Sequence, residues 1–130
     1  WLNNYRKYNN VYPVPDLPYV GDQRWDEPMQ WGSGPYAVLL AAMLSDARVN
    51  LIGFDLYSND KFVNNIYKNT RNYDSGEKRS VDPRYWIHQI GMVFKTFNNI
   101  NFTIYNHENW SLPNKWIYSN VTLDKIQTLM

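Results

Sequence analysis

Residues 31–57, WGSGPYAVLLAAMLSDARVNLIGFDLY, confine the chain to a narrow set of folds. A glycine-bracketed turn opens into an uncharged run from Ala37 to Leu44, then a short polar break, a second apolar run and a polar exit. Ser33 is expected to cap a helix with Pro35 in its first turn. A hydroxyl there accepts an orphan amide hydrogen bond, and proline has no amide to leave unpaired. Ala37, Val38, Leu39, Leu40, Ala41, Ala42, Met43 and Leu44 carry apolar side chains around most of the helix circumference, which predicts a largely buried helix. Residues 46–48 make a hinge. Val49, Leu51, Ile52 and Phe54 follow as a nearly continuous apolar run, the pattern of a parallel strand covered on both faces. Asp55 and Tyr57 close that strand two residues apart, on one side of the pleat. Ligands of open α/β sheets sit beyond the carboxyl ends of strands, so both are candidate site residues.

The rest of the chain reads around this unit. Residues 1–30 form an extended aromatic and proline-rich segment, in which Pro13 demotes residues 11–14 to an edge strand or arm. Pro15, Pro18 and Pro28 break any helical period, and Tyr19, Trp25 and Trp31 pack the loop they punctuate. Asp22, Arg24, Asp26 and Glu27 within it read as solvated loop charges. Residues 58–73 are polar and aromatic and are expected to cover the strand ends, and residues 74–79 form an exposed charged turn. Asp82 and Pro83 predict a helix start, with the aspartate as cap and the proline at the first helical position. Tyr85, Trp86, Ile90, Val93, Phe94 and Phe97 recur at helical spacing, and Asn98 and Asn99 end the segment where asparagine tolerates left-handed backbone. Residues 101–105 predict a second buried strand with Phe102 and Ile104 on one face. Residues 107–116 are loop-like, residues 120–123 a last short strand, and Asp124 the cap of a terminal helix at 125–130. Helix, strand, helix, strand is half of a doubly wound parallel sheet. A single domain is expected, with residues 31–130 as an α/β half-domain completed by a partner copy or by residues upstream of Trp1.

Composition removes several classes. The 130 residues contain no cysteine and two histidines, which excludes disulfides and thiol chemistry, leaves few ways to hold a transition metal, and points to a reducing, cytoplasmic setting. A formal net charge of +1 does not argue for nucleic acid or an anionic membrane. No apolar run approaches the roughly 20 residues that span a bilayer. Asn101, Asn109 and Asn120 begin glycosylation triplets, an expected coincidence in a chain this rich in asparagine.

Gly32, Ser33 and Gly34 at a helix start form a setting where backbone amides and the helix dipole favour an anion, although neither a dinucleotide fingerprint nor a P-loop is present. His107, beside Glu108 and just past the second strand, is a candidate acid or base, and the pair allows a small hydrolase. His88 lies mid-helix and is the other histidine candidate.

Ser33-Gly34-x-Tyr36, the alanine-rich helix through Ala42, and Gly53-Phe54-Asp55-Leu56-Tyr57 resemble the bacterial lipooligosaccharide-type sialyltransferases, whose corresponding stretch reads S-G-x-Y, apolar helix, strand, G-x-D-x-Y. The resemblance covers about residues 31–106 and continues into Lys95-Thr96-Phe97. The chain is also similar to marine phage proteins that share its S-G-P, G-F-D-L-Y and V-D-P-x-Y-W blocks. The sialyltransferase resemblance implies a Rossmann-like three-layer parallel sheet and metal-independent transfer from a nucleotide-sugar such as CMP-sialic acid to a surface glycan acceptor. It places Ser33 and Gly34 at the donor, Tyr57 at its phosphate and Asp55 in a structural role. Two parts of the family pattern have no counterpart: the G-N-G-x-S turn ahead of residue 31, and a histidine in the loop around Arg79, Ser80 or Val81. A non-catalytic binding or assembly module, with aromatic loops holding a sugar or a second copy of the chain, is the competing expectation, and a phage origin would set either role in the host cytoplasm.

Overall fold

Alternation of apolar and polar residues makes three short strands, and their pairing organises the molecule. The computed structural model describes residues 14–56, 67–73, 75–78 and 82–129. Strand β1 spans Arg48–Ile52, β2 Asn101–Asn106 and β3 Val121–Lys125. They form one parallel sheet in the order β1-β2-β3, with Val49 opposite Phe102, Leu51 opposite Ile104 and Phe102 opposite Val121. Helix α1 spans Ser33–Leu44 and α2 spans Arg84–Thr96. The expected α/β architecture, a parallel sheet with two helices, is therefore present. Tyr57, Asp74, residues 1–13, 58–66 and 79–81, and Met130 lie outside the described residues, and with them most of the expected edge strand at 11–14.

Both helices pack on one side of the sheet. Val38, Leu39 and Ala42 of α1, Ile90, Val93 and Phe94 of α2, and Val49, Leu51, Phe102 and Ile104 of the strands share one buried cluster. The Phe94 ring lies 4.6 Å from that of Phe102 and meets Trp116 edge-on at 5.3 Å. Strand β1 alternates strictly, with Val49 and Leu51 buried and Arg48, Asn50 and Ile52 exposed. The expectation of a strand covered on both faces is thus corrected: among the described residues only the helical face is covered. The same holds for α1, where Leu40, Met43 and Leu44 are 46%, 51% and 78% exposed. A 3.6-residue period turns only one stripe to the sheet, however apolar the remaining circumference.

Local signals were shifted rather than absent. Ser33 is the first residue of α1 and Gly32 its N-cap, with no side-chain capping bond, so the serine does not cap. Pro83 is the N-cap of α2, and the Asp82 carboxylate accepts from the Arg84 amide at 3.0 Å. The end of α2 is held from a distance. Asn120, 8% exposed, donates to the carbonyls of Phe94, Phe97 and Ile100 at 3.0–3.1 Å, in place of a left-handed Asn98 or Asn99. Strand β3 extends through Asp124, and Ile126–Leu129 is a single 3-10 turn, which replaces the expected aspartate-capped terminal helix.

Two substitutions test this packing. Asn120→Ala removes the side-chain donor from three carbonyls, those of Phe94 and Ile100 in buried hydrogen bonds, and is expected to cost about 2–3 kcal/mol in urea unfolding. Gly91→Ala is a helix-interior change that ordinarily stabilises by up to about 1 kcal/mol. Here the new Cβ would stand 2.9 Å from the Lys115 carbonyl and 3.4 Å from the Trp116 ring, so the sign is expected to reverse. A raised midpoint for Gly91→Ala would contradict the close approach of α2 to residues 115–116.

Candidate functional site

The amino end of α1 and the exit of β1 meet at the carboxyl edge of the sheet. After Ile52 the chain turns on Gly53 at φ +78° and again on Leu56 at φ +62°. These left-handed residues end the pleat, and β1 stops at Ile52, so Asp55 lies beyond the strand; Tyr57, the expected partner of Asp55, lies outside the described residues. Gly34 sits beside the Phe54 ring, 3.7 Å from where its own Cβ would stand, and Gly32 lies 3.4 Å from the Trp86 indole nitrogen on the same measure. Ser33 and Gly34 are thus brought next to residues 54–55 and to the first turn of α2, with Ser33 exposed. The Trp110 indole donates to the Asp55 carbonyl at 3.0 Å and ties the β1 exit to the segment after β2. The amides of Ser33 and Gly34, in the first turn of α1, have no acceptor within the helix, a setting that suits an anion.

The two histidines have different surroundings. His107 is exposed at the end of β2, where its amide donates to the Asn106 side chain at 2.9 Å. Its neighbour Glu108 pairs instead with Lys125 at 2.7 Å, both largely exposed. His88 belongs to a buried cluster. Its Nε2 lies 2.7 Å from the Asp26 carboxylate, and the two side chains are 16% and 4% exposed. Asp26 also accepts from the Tyr19 hydroxyl at 2.9 Å and from the Gln23 amide at 3.0 Å. The reading of Asp26 as a solvated loop charge is corrected. It is the most thoroughly enclosed carboxylate among the described residues.

Burial raises the Asp26 pKa, but the hydrogen bonds from His88, the Gln23 amide and Tyr19 outweigh it, and the net direction is below the ordinary carboxylate value. The group is therefore ionised at neutral pH. A carboxylate only accepts, so Nε2 of His88 carries the hydrogen, and in the neutral ring the lone pair falls on Nδ1. The Tyr19 hydroxyl is pushed well above the usual phenol range, by burial first and then by the Asp26 carboxylate. Trp25 lies against the imidazole at a centroid distance of 5.7 Å. Gln89, fully buried, donates to the carbonyls of Trp25 and Gln30 at 3.0 and 3.1 Å. Together these bonds fasten the proline-rich segment to α2. An open depression of about 450 Å³, lined by Tyr19, Arg24, Asp26, Glu27 and their neighbours, lies on the outer side of that segment. No group of three or more His, Asp or Glu side chains is placed to hold a metal among the described residues, and no helix there is long and apolar enough to cross a membrane.

Sequence reasoning singled out His88 but missed its partner, 62 residues away. Gly21 is the one local sign. A Cβ there would fall 2.0 Å from Asp26 Oδ2, so only glycine admits the carboxylate.

Asp26→Asn keeps the shape and removes the charge, and is expected to cost about 2–3 kcal/mol at pH 7, because the oxygen that accepts from His88 and Tyr19 loses its charge and an amide NH2 replaces the oxygen that accepts from the Gln23 amide. The pH dependence follows from the lowered folded value. The stability contributed by Asp26 is present above its unfolded pKa, near about 3.9, and is lost as pH falls through the lower folded value. Urea midpoints measured from pH 7 to pH 2 are expected to show this part of the acid limb in the wild type and not in Asp26→Asn.

Comparison with known proteins adds no relative: no family model, no curated protein and no solved structure matches the chain.

Proposed function

We propose that the chain is a glycosyltransferase-like protein that binds a nucleotide-sugar in the crevice at the amino end of α1, with a glycan as its second partner. The observation that carries the proposal is the placement of Gly32 and Gly34 between the Trp86 and Phe54 side chains. Two small residues there leave the first amides of α1 open to a phosphate, and the flanking rings offer surfaces for a base or sugar. Ser33 adds a hydroxyl on the same turn. The sequence pattern S-G-x-Y followed by G-F-D-L-Y supports a nucleotide-sugar over a simpler phosphate ester, and CMP-sugars are the first donors to try. Transfer in this reading needs no metal: helix amides and hydroxyls stabilise the departing nucleotide electrostatically. The proposed setting is the cytoplasm, that of a host if the gene is carried by a phage.

A binding module without transfer is the second reading. It is favoured by the commitment of His88 Nε2 to a buried carboxylate, where the imidazole acts as a fastener.

A thermal-shift panel of CMP-, UDP- and GDP-sugars tests the first reading through Ser33→Asp. An acidic residue in the first turn of a helix stabilises it by about 0.3–1 kcal/mol through the dipole, yet repels a phosphate at the same amides. The variant is expected to melt slightly higher than the wild type without ligand and to bind the sugar nucleotide at least tenfold more weakly. No shift with any donor, or an unchanged shift in Ser33→Asp, overturns the assignment. Turnover of a bound donor, measured alongside, separates transfer from binding.

A further inference from the structure

Residues 17–31 cross the amino half of α2 as a strap held mainly by polar contacts. Its two turns, Arg24–Asp26 and Pro28–Gln30, are single 3-10 turns, a form with poorer hydrogen-bond geometry than an α-helix. Trp31 alone of its apolar residues enters the buried core; Leu17 and Tyr19 are only partly covered, and Val20 and Met29 stand fully in solvent. What fixes the strap is the Asp26 carboxylate on His88 and Tyr19, and the Gln89 amide on two strap carbonyls. The contact is also imperfect. The Trp25 indole N–H and the Gln89 side-chain oxygen are buried there with no hydrogen-bond partner. Both would regain partners in water, and every polar contact of the closed strap can be replaced by water one for one. The apolar core of α2, Ile90, Val93 and Phe94, faces the sheet and Trp116 and does not depend on the strap.

We infer that residues 17–30 form a latched strap that opens as a unit, exposing His88 and Gln89, while α2 and the sheet remain folded. Asp26 is the latch, and Gly21 is the residue that lets it close. The strap leads directly into Gly32, Ser33 and Gly34, so its opening also frees one side of the crevice at the amino end of α1. The inference stands whether or not that crevice binds a nucleotide-sugar.

Native-state amide exchange on the intact chain reads the opening. The reporters are the amides of Asp26, Gln30 and Trp31, bonded within the strap at 2.9–3.1 Å, against those of Phe102 and Ile104 in β2. Strap amides of the wild type are expected to exchange at least 100-fold faster than the β2 amides and with little dependence on low urea concentrations, the mark of local opening. Gly21→Ala, whose Cβ displaces the Asp26 carboxylate, is expected to speed strap exchange at least a further tenfold and leave Phe102 and Ile104 unchanged. Equal rates in the strap and β2 of the wild type overturn the inference whatever the variant does, as does equal acceleration of both regions in Gly21→Ala.

Discussion

The burial of one face of α2 holds the rest of the structure in place. Ile90, Val93 and Phe94 are at most 1% exposed, and the Phe94 ring is packed between Phe102 of β2 and Trp116. Removing a side chain of this size from water is worth about 2–3 kcal/mol, more than the roughly 0.5–1.5 kcal/mol that a neutral hydrogen bond contributes net. Everything else attaches to that helix. Helix α1 packs against it, Asn120 satisfies its last carbonyls, the Trp116 indole donates to its Ile87 carbonyl at 2.8 Å, and the proline-rich segment is fastened to its amino half by His88 and Gln89.

That arrangement gives α2 two chemically different surfaces. The face toward the sheet is dry and apolar, and it sets the fold. The face toward residues 17–31 is polar, buried and incompletely paired, and it carries the buried hydrogen bond between His88 and the Asp26 carboxylate. Incompletely satisfied contacts of this kind are where a protein stores the capacity to move, because little is lost when water replaces them. Trp86, two residues before His88, approaches Gly32 at the junction of the two surfaces.

The elements were legible in the sequence because they obey local rules. Phe102 and Ile104 alternate with polar residues and form a strand, and Ile90, Val93 and Phe94 recur at helical spacing and face the core. The layers were less legible. The apolar runs of α1 and β1 suggested cover on every side, whereas Leu40, Leu44 and Ile52 are exposed, because hydrophobicity alone does not say how many partners a surface has. The chemistry of the site was the least legible. Asp26 sits among other charges in a proline-rich loop, and nothing within that loop announces a histidine 62 residues later. Only Gly21, small for a reason that lies outside its own turn, marks the position. Conversely, Ser33 and Gly34 came from a short pattern, and the structure places Gly34 beside Phe54 at the strand exit and the preceding Gly32 beside Trp86 of α2.

The central claim is that the amino end of α1 is a phosphate site for a nucleotide-sugar. An amide NMR titration with CMP-sugar tests it residue by residue. The account predicts that the largest shifts fall on the amides of Gly32, Ser33 and Gly34 and on the Trp86 indole. Saturable shifts centred elsewhere, with residues 32–34 silent, would contradict it.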